Sequence, residues 1–117
     1  MPDPSRGEVW MVDFDPPIGS ETNKIRPAVV VSDNSLGALP LKIVVPITKW
    51  KTNYARFPWF THLPPTKRNG LRHESGADGF QVKSVSTERF ENKIGEVTEK
   101  QLANIAASVA LCVGYNE

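Results

Sequence analysis

The chain has 117 residues, 39% hydrophobic and 23% charged, with a formal net charge of +1. That length suits one domain over residues 1–117 with one core, and the composition is that of a folded globule rather than a disordered chain. The longest apolar runs fall well short of the roughly 18 residues a membrane helix needs, and a near-neutral total rules out any argument for nucleic-acid binding from bulk charge.

The amino end, MPDPSRGEVW, has neither a basic nor an apolar region, so a secretory signal is not expected. The single Cys112 cannot close an internal disulfide, which suits a reducing cytoplasm. The first strand is predicted over Glu8–Phe14, followed by the long polar loop DPPIGSETNKIR. The second strand is predicted over Ala28–Ser32; its valines point to both pleat faces, as in a central strand buried on both sides. A third follows over Leu41–Thr48, where Pro46 cannot donate a ladder hydrogen bond and implies a bulge or an edge. The fourth covers Phe57–Leu63. A basic loop, PPTKRNGLRHESGADG, then leads to a fifth strand, FQVKSVS, and a short one, KIGEV. The chain ends in a helix. Thr98 is its N-cap and Gln101 completes a capping box. Leu102, Ile105, Ala106, Val109, Cys112 and Val113 share one face, and Gly114 is the stop. The fold expected is mostly β: five to six antiparallel strands closed into a small barrel, with the C-terminal α-helix packed against it. Closure would also hide the strand edges.

Charge is unevenly distributed. Lys49, Lys51, Arg56, Lys67, Arg68 and Arg72 fall within one middle stretch, the makings of a local phosphate-binding patch on a neutral protein. Arg26 stands immediately before Pro27, which steers the preceding backbone toward extended angles. A planar fork of donors is thus held where a long loop meets a buried strand, and that fork matches a phosphate or a carboxylate. An ordinary ion pair with Glu21 or Asp13 is the competing explanation. Thr48 closes the third strand beside the cationic loop, where its hydroxyl suits a phosphoryl oxygen; it also suits a plain strand end. Trp50, Tyr54 and Phe57 alternate with Lys49, Lys51 and Arg56, the mixture that binds splayed bases. Trp59 and Phe60 read better as core or dimer contacts. Of the two histidines, His62 follows a strand alternation and His73 lies in the cationic loop. An imidazole pair is a reasonable acid–base couple for RNA cleavage, but neither is assigned a catalytic role. No close metal-ligand spacing and no nucleotide-binding glycine loop is present.

The stretch RGEVWMVDFDPPIGSETNKIRPAVVVS resembles the opening of the MazF/PemK (Kid) family, the toxins of type II toxin–antitoxin systems, and IVVPIT and QVKSVSTERF…IGEV follow in the family's order. The resemblance runs from Arg6 to about Gly114. It implies an SH3-like barrel that forms a homodimer, and an endoribonuclease, acting with or without the ribosome, that cuts single-stranded RNA at a short sequence. It implies no metal or other cofactor, and products with 2′,3′-cyclic phosphate and 5′-hydroxyl ends. The partner implied is a cognate antitoxin whose extended, acidic C-terminal segment blocks the RNA site. The family's catalytic arginine falls on Arg26, its threonine on Thr48 and the acidic residue of the first loop on Glu21, which would hold Arg26 or accept the 2′ proton. The RNA-contacting set is then Lys24, Lys49, Trp50, Lys51, Tyr54, Arg56, Arg72, His73 and Gln81. One position departs from the pattern: Phe80 stands where many members carry an acidic residue before the glutamine, and Asp78 is left out of the catalytic set. A non-catalytic RNA- or peptide-binding barrel and a gyrase-poisoning toxin of the same fold are the alternatives.

Overall fold

The computed structural model describes residues 3–14 and 24–115. Its strands are β1 (Glu8–Asp13), β2 (Ile25–Val30), β3 (Leu41–Lys49), β4 (Phe60–Leu63), β5 (Ser75–Asp78), β6 (Lys83–Ser86) and β7 (Phe90–Glu96), and they precede one helix, α1 (Glu99–Cys112). All the strand pairings are antiparallel, in the order β4-β5-β3-β2-β1-β7, with β6 beside the first half of β3. Among the described residues the sheet therefore has seven strands rather than five or six.

The extra strand is Ser75–Asp78, which lies in the stretch expected to be loop. It is sandwiched between β3 and β4, and all of its residues are buried. What reads as a fifth strand at FQVKSVS is a 3₁₀ turn, Gly79–Gln81, followed by β6. The second strand also begins earlier than predicted, taking in Ile25, Arg26 and Pro27, with Arg26 opposite Val12.

Alternation in the central strands fills two cores. Val9, Val29, Val45, Ile47, Leu63 and Ala77 cluster with Val97 and with Ile105 of α1. On the other pleat face Val12, Phe14, Ala28, Val30, Val44, Val85 and Phe90 form a second cluster, flanked by Trp10. Fully burying a valine is worth roughly 1.5–3 kcal/mol, so the β2–β3 pair anchors both layers. The helix begins as expected: Thr98 Oγ1 accepts the Gln101 N–H at 3.1 Å, and Gln101 Oε1 accepts the Thr98 N–H at 2.9 Å. Gly114 ends it at φ +74°. The apolar face is narrower than predicted, since Val113 is 70% exposed while Ser108 is buried and donates to the Ile105 carbonyl at 2.7 Å.

Closure of the barrel by strands is not found. Among the described residues the outer strands β4 and β7 do not pair. The segment 64–74 between β4 and β5 crosses the gap instead, and the Glu96 N–H donates to the Arg68 carbonyl at 3.0 Å. The approach is tight enough to require glycine on both sides. A Cβ on Gly70, which sits at φ +70°, would run into the main chain of Ile94, and one on Gly95 would run into the carbonyls of Arg68 and Asn69. Asn69, 1% exposed, secures the bend: its Oδ1 accepts the Thr66 and Leu71 N–H groups at 3.0 Å and its Nδ2 donates to the Pro64 carbonyl at 2.9 Å.

Pro46 marks neither a bulge nor an outer strand. It pairs with Ala28 of β2 without a register shift. On its other side β3 pairs with β6 only through Leu41–Val44 and with β5 only from Ile47 onward, so Pro46 falls where that edge changes partner. Pro27 is placed similarly. It pairs with Met11 of β1, and the ladder toward β3 has stopped one residue earlier, at Ala28.

Candidate active site

The β2–β3 ladder couples Val30 to Val44, Val29 to Val45 and Ala28 to Pro46, and then ends. Extended by two positions, the same register would set Arg26 against Thr48. Instead β3 turns to pair with β5, where Thr48 faces Gly76 and Lys49 faces Ser75. Where the strands part, a cleft of about 560 Å³ opens. Arg26 and Thr48 both line it, and both are half-buried. One wall is Lys24–Pro27, the second is Ile47–Lys49, and the third is the segment Gly70–His73 with Ser75. Met11, Asn92 and Ile94 complete the lining.

The cleft is cationic. Lys24, Arg26, Lys49 and Arg72 contribute to it, with His73, and among the described lining residues there is no carboxylate. Lys24 takes a left-handed backbone at φ +60°, unusual for a side chain with a Cβ and costing on the order of 1 kcal/mol. Its carbonyl accepts the Phe14 N–H at 3.0 Å, which ties the end of β1 to the start of β2.

The other sequence-predicted residues are placed differently. Trp50 lies just beyond the cleft, its indole against Gly76 and His62, with a ring separation of 4.5 Å to the imidazole. Tyr54 stacks on Phe60 at 3.9 Å and 8°, and Phe57 stacks on Trp59 at 4.8 Å. Lys51 precedes the 3₁₀ segment Thr52–Arg56 and Arg56 ends it; both are exposed, and neither lines the cleft. Gln81 also lies outside the lining; its Nε2 donates to Asp78 Oδ2 at 3.0 Å. The Asp78 carboxylate accepts the Phe80 N–H at 3.1 Å as well, so this 8%-exposed group caps the turn after β5. Glu21 lies outside the described residues.

Two further groups have other occupations. His62 Nε2 lies 2.7 Å from Glu74 Oε1, outside the cleft. Burial, with the negative charge of Asp78, pushes the Cys112 thiol up from its ordinary value, away from thiolate chemistry. Asn92 and Ser75 are cleft residues that sequence reasoning passed over, and no local pattern marks them. Chemically, the cleft offers a half-buried guanidinium, a hydroxyl and flanking cations, the set that holds a phosphodiester and stabilises charge developing on it.

Residues 5–113 match the family profile described as PemK-like, MazF-like toxin of type II toxin-antitoxin system. The chain is similar to endoribonuclease MazF9 of Mycobacterium tuberculosis, with 38% identity over 112 residues that cover 91% of this chain and 92% of the relative. In three dimensions it is similar to the crystal structure of MazF from Deinococcus radiodurans, with a TM-score of 0.79, 22% identity and coverage of 95% and 96%. It is also similar to an endoribonuclease from a mycobacterial species solved in complex with its cognate antitoxin, with a TM-score of 0.77, 18% identity and coverage of 98% and 99%.

Proposed function

The chain belongs to the PemK-like, MazF-like toxin family of type II toxin–antitoxin systems, and on that footing we propose that it is an endoribonuclease toxin that cuts single-stranded RNA at a short sequence without a metal ion. The observation that carries this reading is that Arg26 and Thr48 line one cationic cleft. Cleavage proceeds by attack of the 2′-oxygen on the adjacent phosphorus and leaves 2′,3′-cyclic phosphate and 5′-hydroxyl ends. Arg26 stabilises the charge spread over the phosphoryl oxygens; a preorganised donor of this kind contributes on the order of 10²–10³ in rate. Thr48 positions the phosphate, and Glu21 accepts the 2′ proton. Lys24, Lys49, Arg72 and His73 hold the strand in the cleft. Trp50, Lys51, Tyr54, Arg56 and Gln81 serve nucleotides farther along.

The toxin acts as a homodimer of single-domain chains in the cytoplasm. A cognate antitoxin neutralises it by laying an extended, acidic C-terminal segment across the same cations. Among the described residues no helix is long and apolar enough to cross a membrane. The test is incubation of the purified chain with a mixed RNA pool in chelator, followed by mass analysis of the product ends. Cyclic phosphate ends at one recurrent sequence, lost in Arg26→Ala, are expected; intact RNA at every ratio of protein to substrate would overturn the reading.

A further inference from the structure

Breaking the P–O5′ bond requires a proton for the departing oxygen. The guanidinium of Arg26 is a poor source, because an arginine side chain keeps its proton in proteins. Among the described residues, the other ionisable side chains lining the cleft are Lys24, Lys49, Arg72 and His73. Of these described side chains, the imidazole is the one whose type serves ordinarily as a general acid or base. Resting on the endoribonuclease reading above, we propose that His73 is a catalytic residue of this cleft, the general acid that protonates the leaving 5′-oxygen.

The backbone around His73 is fixed on both sides. Its carbonyl accepts a hydrogen bond from Ser75 Oγ at 2.8 Å. The next carbonyl, of Glu74, accepts the Trp50 N–H at 2.9 Å, and Ser75 then enters the ladder opposite Lys49. Upstream, Asn69 pins Leu71, and Gly70 is wedged against Ile94. The imidazole is therefore carried on rigid main chain only two residues from the β3–β5 pairing that holds Thr48, while its ring remains exposed for a strand to meet. The second imidazole, of His62, is engaged with Glu74 outside the cleft.

In the step, the 2′-oxygen bonds to phosphorus as its proton passes to a base. The P–O5′ bond breaks, its electron pair stays on O5′, and the proton of the His73 imidazolium joins it. Base and imidazole regain their starting protonation from solvent.

A strand carrying the cut site found in the mixed-pool experiment is made in two forms, one with oxygen and one with sulfur at the 5′ bridging position. A thiolate leaves without a proton. His73→Gln is expected to slow the oxygen strand by about 10²–10⁴ while cutting the sulfur strand at nearly the wild-type rate. His73→Ala is expected to regain oxygen-strand cleavage when imidazole is added. Equal losses on both strands would reduce His73 to a binding contact, and unchanged cleavage of the oxygen strand would remove it from the mechanism. A wild-type chain that cuts no RNA would overturn the endoribonuclease reading itself.

Discussion

Two adjoining stretches of one strand, Val44–Pro46 and Ile47–Lys49 of β3, share a backbone and differ in what lies beside them; they are the paired half and the parted half of the strand's last six residues. The first is paired to β2 and every residue in it is buried. The second has left β2 for β5, and Thr48 and Lys49 look into a cleft. The residue types hardly announce the change. It is produced by pairing: where a ladder ends inside the sheet, side chains of two strands stay near one another while room appears between them. Stability is concentrated in the paired half and chemistry in the parted half, and substitutions on either side should separate the two.

The largest effect is expected from Arg26→Ala, in the parted half. It should cut kcat by about 10²–10³, equivalent to roughly 3–4 kcal/mol of transition-state stabilisation. Single-turnover cleavage assays, normalised to the folded fraction from urea unfolding, check this. Gly95→Ala attacks the seam that carries the third wall, and forcing a Cβ into the Arg68 and Asn69 carbonyls should cost about 3 kcal/mol. Because that seam supports Gly70–His73, cleavage per folded molecule should fall too, which would mark the seam as common to stability and chemistry. Val45→Ala tests the paired half alone: about 2 kcal/mol of stability lost, with cleavage per folded molecule retained.

The smallest effect belongs to Glu8, at the far end of β1. Burial alone would raise its carboxyl, but hydrogen bonds from the Ser5 N–H at 2.8 Å and the Trp10 indole at 2.9 Å, with Lys93 beside it, outweigh burial and hold it below the ordinary value of 4.5. A carboxyl depressed by folding stabilises fully above that ordinary value and ceases to do so as pH falls through its lower folded value. Wild type should therefore lose under about 1 kcal/mol more than Glu8→Gln on acidification through this window, measured by urea unfolding as a function of pH, with no difference in cleavage at neutral pH.

Much of the fold was legible because its signals are local. Alternating valines, the Thr98–Gln101 box and Gly114 each act within a few residues. Strand β5 was not legible: Ser-Gly-Ala-Asp has no β-branched residue, and its small side chains suit a place beneath Trp50 and between two strands that only the folded chain supplies. The seam was hidden for the same reason, since Gly70 and Gly95 lie far apart in sequence. At the site, Arg26 and Thr48 stood out as side chains suited to a phosphate and took catalytic roles from family likeness, while their shared cleft follows from register. Tyr54 and Gln81 have the right chemistry for RNA, but their nearest engagements, with Phe60 and Asp78, depend on contacts that composition does not encode.

Pro27 gives the parted strands a property of their own. It lacks the amide hydrogen that β3 would need to continue the ladder past Ala28, whereas Pro46 lacks its own on the opposite edge of β3, where the partner changes from β6 to β5. One rung that would draw the two strands together is thus removed by covalent chemistry rather than by an occupant, and the cleft needs no bound strand to stand open there.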